Sequence, residues 1–174
     1  MQISAKAIVY GDDINTDLII AGKYTKTLNT NDLVEHCMED LDPDFHQKCA
    51  DGAIIVAGKY FGCGSSREQA PIALKNSGVK CVVAKSFSRI FYRSAINIGL
   101  PLIECNTELI EDGDLLECEL GGNILKDINR NLTLHIHPLP ELMRNILECG
   151  GMVEVMKRYG GFEEFIREVK KRNG

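Results

Sequence analysis

Two short apolar runs, Ala53-Ile-Ile-Val-Ala57 and Cys81-Val-Val-Ala84, constrain this chain more than any other feature. The first is bounded by Asp51-Gly52 and Gly58, the second follows Gly78, and both read as strands. Between them Ala70 to Asn76 reads as a helix, with Ser77-Gly78 as its stop. Strand, helix and strand at this spacing predict a βαβ unit, that is, two parallel neighbours joined by a right-handed crossover. Ser88 to Asn97 continues the pattern as a helix with Ile90, Phe91, Ser94 and Ala95 on one side, stopping at Gly99. Leu100 to Glu104 follows as a third strand.

The flanks have a different character. Ile3 to Val9 opens the chain as a strand, followed by a polar turn, Gly11-Asp-Asp-Ile-Asn-Thr-Asp17. Asn31 to Glu39 reads as a helix with Asn31 or Thr30 as its N-cap. After Gly113, three short strands (Leu115 to Leu120, Ile124 to Ile128, Leu132 to Ile136) are separated by Gly121-Gly122 and Asn129-Arg-Asn131. Such turn residues predict an antiparallel meander. Pro140 to Cys149, Met152 to Tyr159 and Phe162 to Lys171 read as terminal helices. The result is an α/β domain with a parallel central part and antiparallel flanks.

A formal charge of −5, from 20 basic and 25 acidic residues, argues against a nucleic-acid surface, which needs clustered positive charge. No apolar run approaches the roughly 18–20 residues of a membrane helix, and the opening residues lack a signal peptide's apolar stretch. The expectation is a cytoplasmic protein with neither nucleic-acid nor membrane partners. Seven cysteines (37, 49, 63, 81, 105, 118, 149) are widely spaced and form no C-x-x-C. They predict free buried thiols rather than a disulfide framework or a metal site held by this chain. His135-x-His137 would share a strand face, but no third ligand lies near in sequence.

Chemistry is expected first at Phe61-Gly-Cys-Gly-Ser-Ser-Arg-Glu68, directly after the Ala53 strand. Ligands in α/β sheets bind at the carboxyl ends of strands. Two glycines let backbone N–H groups approach an anion, and Arg67 can fork onto a carboxylate. Neither a Walker A string nor the third glycine of a dinucleotide fingerprint is present. A small carboxylate ligand fits better. The competing reading is a helix cap, because Ser65-x-x-Glu68 and Ser66-x-x-Gln69 both match the capping box. Pro71 complicates that reading, since the helix could start nearer Ala70 and leave the serines on a loop. Arg89 and Arg93, one turn apart, suit either an acidic ligand or intradomain ion pairs. Taken alone, Asn15-Thr-Asp17 and Lys26 are capping and surface residues.

Together, Gly11-Asp-Asp-Ile-Asn-Thr-Asp17, Gly62-Cys-Gly-Ser-Ser-Arg-Glu68, Ala84-Lys-Ser-Phe-Ser-Arg-Ile-Phe-Tyr-Arg93 and Asn97-Ile-Gly-Leu-Pro101 resemble the isopropylmalate dehydratase small-subunit group of the aconitase superfamily. The likeness runs over about residues 3 to 158 in order and with compatible spacing. It implies an aconitase C-terminal-like swivelling β/β/α fold, with 1–174 as a single domain and 160–174 as a C-terminal helical extension. It also implies a hydro-lyase that isomerises a hydroxy diacid by dehydration and rehydration, active only with a separate large subunit. That subunit would carry the [4Fe–4S] cluster, and this chain none.

By motif, the resemblance makes Ser65 the catalytic base, with Thr16 and Asp17 as orienting or proton-relaying groups. Ser66 and Arg67 become carboxylate binders, and Thr25 and Lys26 line the specificity segment Tyr24-Thr-Lys-Thr27. Lys26 would suit the extra carboxylate of a hydroxy triacid, yet its methylene stem can also serve as an apolar wall. The substrate expected is 3-isopropylmalate, with homoaconitase and dimethylmalate dehydratase small subunits as alternatives. A reading of another class is a non-catalytic carboxylate-binding module. The stripe Phe162, Phe165, Ile166 and Val169 is expected to pack on the domain or on a partner.

Overall fold

The computed structural model describes residues 1–26 and 29–172, so Thr27 of the specificity segment lies outside the described residues. Its centre is a seven-stranded sheet of order β4-β3-β2-β1-β5-β6-β7. The strands are β1 (Gln2–Val9), β2 (Ala53–Ala57), β3 (Val79–Ala84), β4 (Leu102–Glu104), β5 (Leu115–Glu119), β6 (Ile124–Asp127) and β7 (Leu132–His135). β1 to β4 are mutually parallel in their pairings, and β2 and β3 are the neighbours the βαβ spacing predicts. β5, β6 and β7 form the antiparallel meander, all of it beyond β1, with Ile3 opposite Cys118 and Leu125 opposite Leu134.

Period-two alternation divides the apolar strands between two cores. Ala53, Ile55 and Ala57 of β2 face one layer, and Ile54 and Val56 face the other. The first layer receives the crossover helices: α1 (Thr16–Ile19), α2 (Thr30–Glu35), α3 (Phe45–Cys49), α4 (Gln69–Asn76) and α5 (Arg89–Ile98). The second is closed by α6 (Glu141–Cys149), α7 (Met152–Tyr159) and α8 (Phe162–Arg172), which bury Ile146, Leu147, Val155 and Phe165. Phe165 is 1% exposed, with Ile166 and Val169 packed against the same core while Phe162 stays exposed, so most of the terminal stripe packs on the domain itself, beside α6 and α7.

Three local departures from the sequence reading have physical causes. The turn ending in Asp17 closes into α1, because the Asn15 side chain accepts the Leu18 N–H at 2.9 Å and caps it. The helix expected over 31–39 is shorter and begins earlier, at Thr30, capped by Asn29. It ends at Glu35, since Met38 takes φ +62° and turns its N–H onto the Ile19 carbonyl at 2.8 Å. α3 has no strong apolar period and was not expected. It is anchored by Asp42, whose Oδ2 accepts from Tyr10 at 2.8 Å and Lys48 at 2.7 Å. Among the described residues, no helix is long and apolar enough to cross a membrane.

Candidate active site

Parallel strands all end on one edge of a sheet, so the loops leaving β1, β2 and β3 meet there. They are laced together by backbone hydrogen bonds that carry the strand pairing past the strand ends. Gly62 N–H donates to the Ile14 carbonyl and Thr16 N–H to the Cys63 carbonyl, both at 2.8 Å. Phe61 N–H donates to Ser86 and Ser88 N–H to Phe61, both at 3.0 Å. Bridges Asn15–Cys63 and Phe61–Phe87 mark the same register. The Ser88 hydroxyl both donates to the Gly62 carbonyl at 2.7 Å and caps α5 by accepting the Phe91 N–H at 3.3 Å.

The reversal after β2 depends on Gly62 and Gly64, at φ +76° and +91°. The Phe91 ring lies directly against the α-carbon of Gly62, where any Cβ would collide with it. This loop then presents Ser65 and Ser66, both exposed. α4 starts only at Gln69, and Glu68 stands at its N-cap without a side-chain bond. Of the two readings left open by the sequence, the helix cap is therefore not realised. Pro71 falls in the first turn, where its missing N–H costs nothing. Among the described residues, neither serine hydroxyl is engaged in a hydrogen bond.

The surrounding residues hold this loop from beneath. Thr16 is buried, and its hydroxyl donates to the Ser65 carbonyl at 2.9 Å, fixing the backbone from which Oγ projects. Arg67 is mostly covered. Its Nη1 donates to Asp17 Oδ1 at 2.5 Å and to the Ile20 carbonyl at 3.2 Å. Among the described residues, no hydrogen bond uses its Nη2 or Nε, so the guanidinium is oriented while part of its fork is left to bind. The 3₁₀ turn Gly22–Tyr24 packs on Arg67 through Gly22, and the Gln69 side chain donates to the Thr25 carbonyl at 3.2 Å. Thr25 Oγ1 donates within the turn to Gly22 at 2.8 Å, so its hydroxyl is committed locally. Lys26 is exposed beside a cavity of about 430 Å³ lined with Lys23, Tyr24, Asp32 and His36.

Six of the seven candidate residues thus gather at one sheet edge, and Lys26 follows directly after Thr25. Sequence reasoning missed Gln69 and Ser88 as positioning groups. The signal for Ser88 was there, a serine opening a helix, but its bond to Gly62 spans the α4 crossover. Arg89 and Arg93 are exposed on α5 and, among the described residues, form no ion pair. His135 and His137 line a separate cleft with Lys59 and Lys85.

Cys37, Cys49, Cys81, Cys105 and Cys118 are buried, and burial pushes the thiol of Cys37 up to about 12 and that of Cys49 up to about 11. Among the described residues, no three His, Cys, Asp or Glu side chains are grouped as metal ligands.

Residues 4–108 match the family model described as the aconitase C-terminal domain. The chain is similar to the 3-isopropylmalate dehydratase small subunit of Halothermothrix orenii, 50% identical over 159 residues that span 90% of this chain and 96% of that protein. It is 51% identical over 160 residues to 3-isopropylmalate dehydratase small subunit 1 of Methanopyrus kandleri, covering 91% and 94% of the two chains. Its fold superposes on the crystal structure of 3-isopropylmalate dehydratase (leuD) from Methanocaldococcus jannaschii with a TM-score of 0.86, at 44% identity and full coverage of both.

Proposed function

The chain belongs to the aconitase C-terminal domain family, among its 3-isopropylmalate dehydratase small subunits, and from that premise we propose that it supplies the serine side of a hydro-lyase active site completed by a large subunit. The reaction is the interconversion of 3-isopropylmalate and 2-isopropylmalate in leucine biosynthesis, by loss and readdition of water. The observation that carries the site is the loop itself: two unengaged serine hydroxyls beside a guanidinium already oriented by Asp17 and Ile20.

In this proposal Arg67 and the Ser66 hydroxyl hold one substrate carboxylate. Ser65 Oγ, as its alkoxide, then faces the carbon next to it, takes its proton and becomes the neutral hydroxyl. The C–H electron pair becomes the new double bond as hydroxide leaves the neighbouring carbon, and the reverse step delivers water to the other carbon. Serine is a weak base in water. It serves here because Thr16 fixes its backbone, the positive charge of Arg67 stabilises its alkoxide, and a covering subunit excludes solvent. Asp17 keeps the guanidinium in place, and Thr25 and Lys26 form the wall toward the substrate's side group. The described residues bring no three ligands together for a [4Fe–4S] cluster, so we place it on the large subunit, where it would supply a Lewis acid to the departing hydroxyl. Seven unpaired thiols accord with a reducing, cytoplasmic setting.

Lys26 is the one residue that favours a hydroxy triacid, the homoaconitase alternative, over isopropylmalate. Reconstitution of the purified chain with a matching large subunit, under anaerobic conditions with iron, tests the whole reading. The pair is expected to turn over 3-isopropylmalate while the chain alone is inert. Ser65→Ala should lower kcat by about a thousandfold at unchanged thermal stability; an unaltered rate would remove Ser65 from its role. kcat/KM for isopropylmalate, homoaconitate and dimethylmalate, with and without Lys26→Leu, decides the substrate. A loss confined to homoaconitate would give Lys26 a carboxylate partner.

A further inference from the structure

The segment that borders Arg67 has little reason of its own to hold one shape. Gly22–Tyr24 is a single 3₁₀ turn without a side-chain cap, and Lys26 beyond it is exposed. It is nevertheless gripped on two sides. On the site side, Gln69 donates to the Thr25 carbonyl and Gly22 packs on the Arg67 guanidinium. On the far side, the Tyr24 ring stacks on the His36 imidazole, centroids 3.6 Å apart and planes within 4°. Lys23 Nζ lies over the same ring, 4.7 Å from its centroid.

His36 is itself held. It caps the C-terminus of α2, and its Nδ1 is 2.7 Å from Glu39 Oε2. That hydrogen bond is the main reason the Glu39 carboxyl titrates below its usual range, with Tyr24 and Lys23 adding to it. Lys23 approaches the same carboxylate at 3.9 Å. Glu39, His36, Tyr24 and Lys23 therefore form one continuous clamp that ends two residues before Lys26.

We propose that His36, braced by Glu39, is a positioning residue that fixes the Gly22–Lys26 segment against Arg67 and thereby sets discrimination among hydroxy-acid substrates. The inference rests on the reading of Arg67 and this segment as substrate-facing. His36 touches no substrate; it acts through Tyr24. A flat, parallel stack permits an aromatic substitute, whereas a small side chain leaves Tyr24 unsupported.

The test compares wild type, His36→Ala and His36→Phe, each paired with the large subunit. His36→Ala is expected to raise KM for isopropylmalate about tenfold with kcat within about twofold, and to change the isopropylmalate-to-homoaconitate ratio of kcat/KM. His36→Phe should restore most of the lost KM. In the chain alone, trypsin should cut after Lys23 faster in His36→Ala than in wild type or His36→Phe. An unchanged KM and ratio in His36→Ala overturns the proposal. So does an equal loss on every substrate accompanied by a lower Tm and no rescue by phenylalanine, which marks a merely structural role. A wild-type pair inert toward every hydroxy acid tested would sink the functional reading and this inference with it. An active wild-type pair with indifferent variants sinks this inference alone.

Discussion

Gly62 is where one residue decides whether the serine loop exists. Its φ of +76° is open to glycine and strained for anything larger, and the Phe91 ring occupies the space a side chain would need. Gly62→Ala must therefore accept backbone strain and push Phe91, which itself packs edge-on against Phe61 at 5.3 Å. Left-handed strain and overpacking together predict a loss of about 3 kcal/mol in urea unfolding; a loss below about 0.5 kcal/mol would mean the ring yields freely. The sequence made this loop legible because glycines, serines and Arg67 are contiguous. It could not show the Asp17–Arg67 pair, whose members are 50 positions apart. That meeting depends on β1 and β2 lying side by side in parallel, a fact of strand order rather than of local pattern.

Elements with a strong period or clear turn chemistry were legible almost to the residue, as β2, α7 and the β5–β7 meander show. α1 and α3, of four and five residues, were not, since helices that short have no period and survive only through packing and caps. The meander also carries a cost invisible in its alternation. Asp127 closes β6, is 1% exposed, and has one carboxyl oxygen, Oδ2, without a hydrogen-bond donor among the described residues. Burial raises its pKa; the Arg130 N–H at 3.1 Å opposes this, and the neighbouring Asp114 carboxyl adds to it. A raised carboxyl pKa means the folded chain binds this proton more tightly than the unfolded chain. Its stabilising effect is complete below the unfolded value near 3.9 and is lost as pH rises through the folded one. Asp127→Asn removes that titration and lets an amide donate to Asp114. It should gain about 1 kcal/mol at pH 7, and the gain should shrink as pH falls toward about 4. Unfolding curves at the two pH values check this; a variant less stable than wild type at pH 7 would show that the charged form is satisfied after all.

At the scale of the whole molecule, helices cover both faces of the central strands β2 and β3, and the edge where those strands end bears the exposed Ser65 and Ser66 and the half-buried Arg67. In the proposed reading the serine chemistry belongs to this chain and the iron to its partner subunit. Burial pushes Cys105 and Cys118 up to about 11, and Cys81 is raised further in its fully enclosed site between them. Thiols so protonated and covered are poor nucleophiles at neutral pH. Only Cys63 and Cys149 are partly exposed, and Cys63 sits two residues before Ser65. A thiol reagent at pH 7.5 should accordingly label these two in the native chain and all seven after denaturation, as read by mass spectrometry. Incubation of the native chain with iron and sulfide should develop no cluster absorbance, while the same treatment of the large subunit should. An absorbing, iron-loaded small chain would overturn the assignment of the cluster to the partner. Prior labelling of Cys63 adds bulk to the serine loop itself, so it should abolish turnover by the pair, whereas labelling of Cys149, at the far end of α6, should leave it intact.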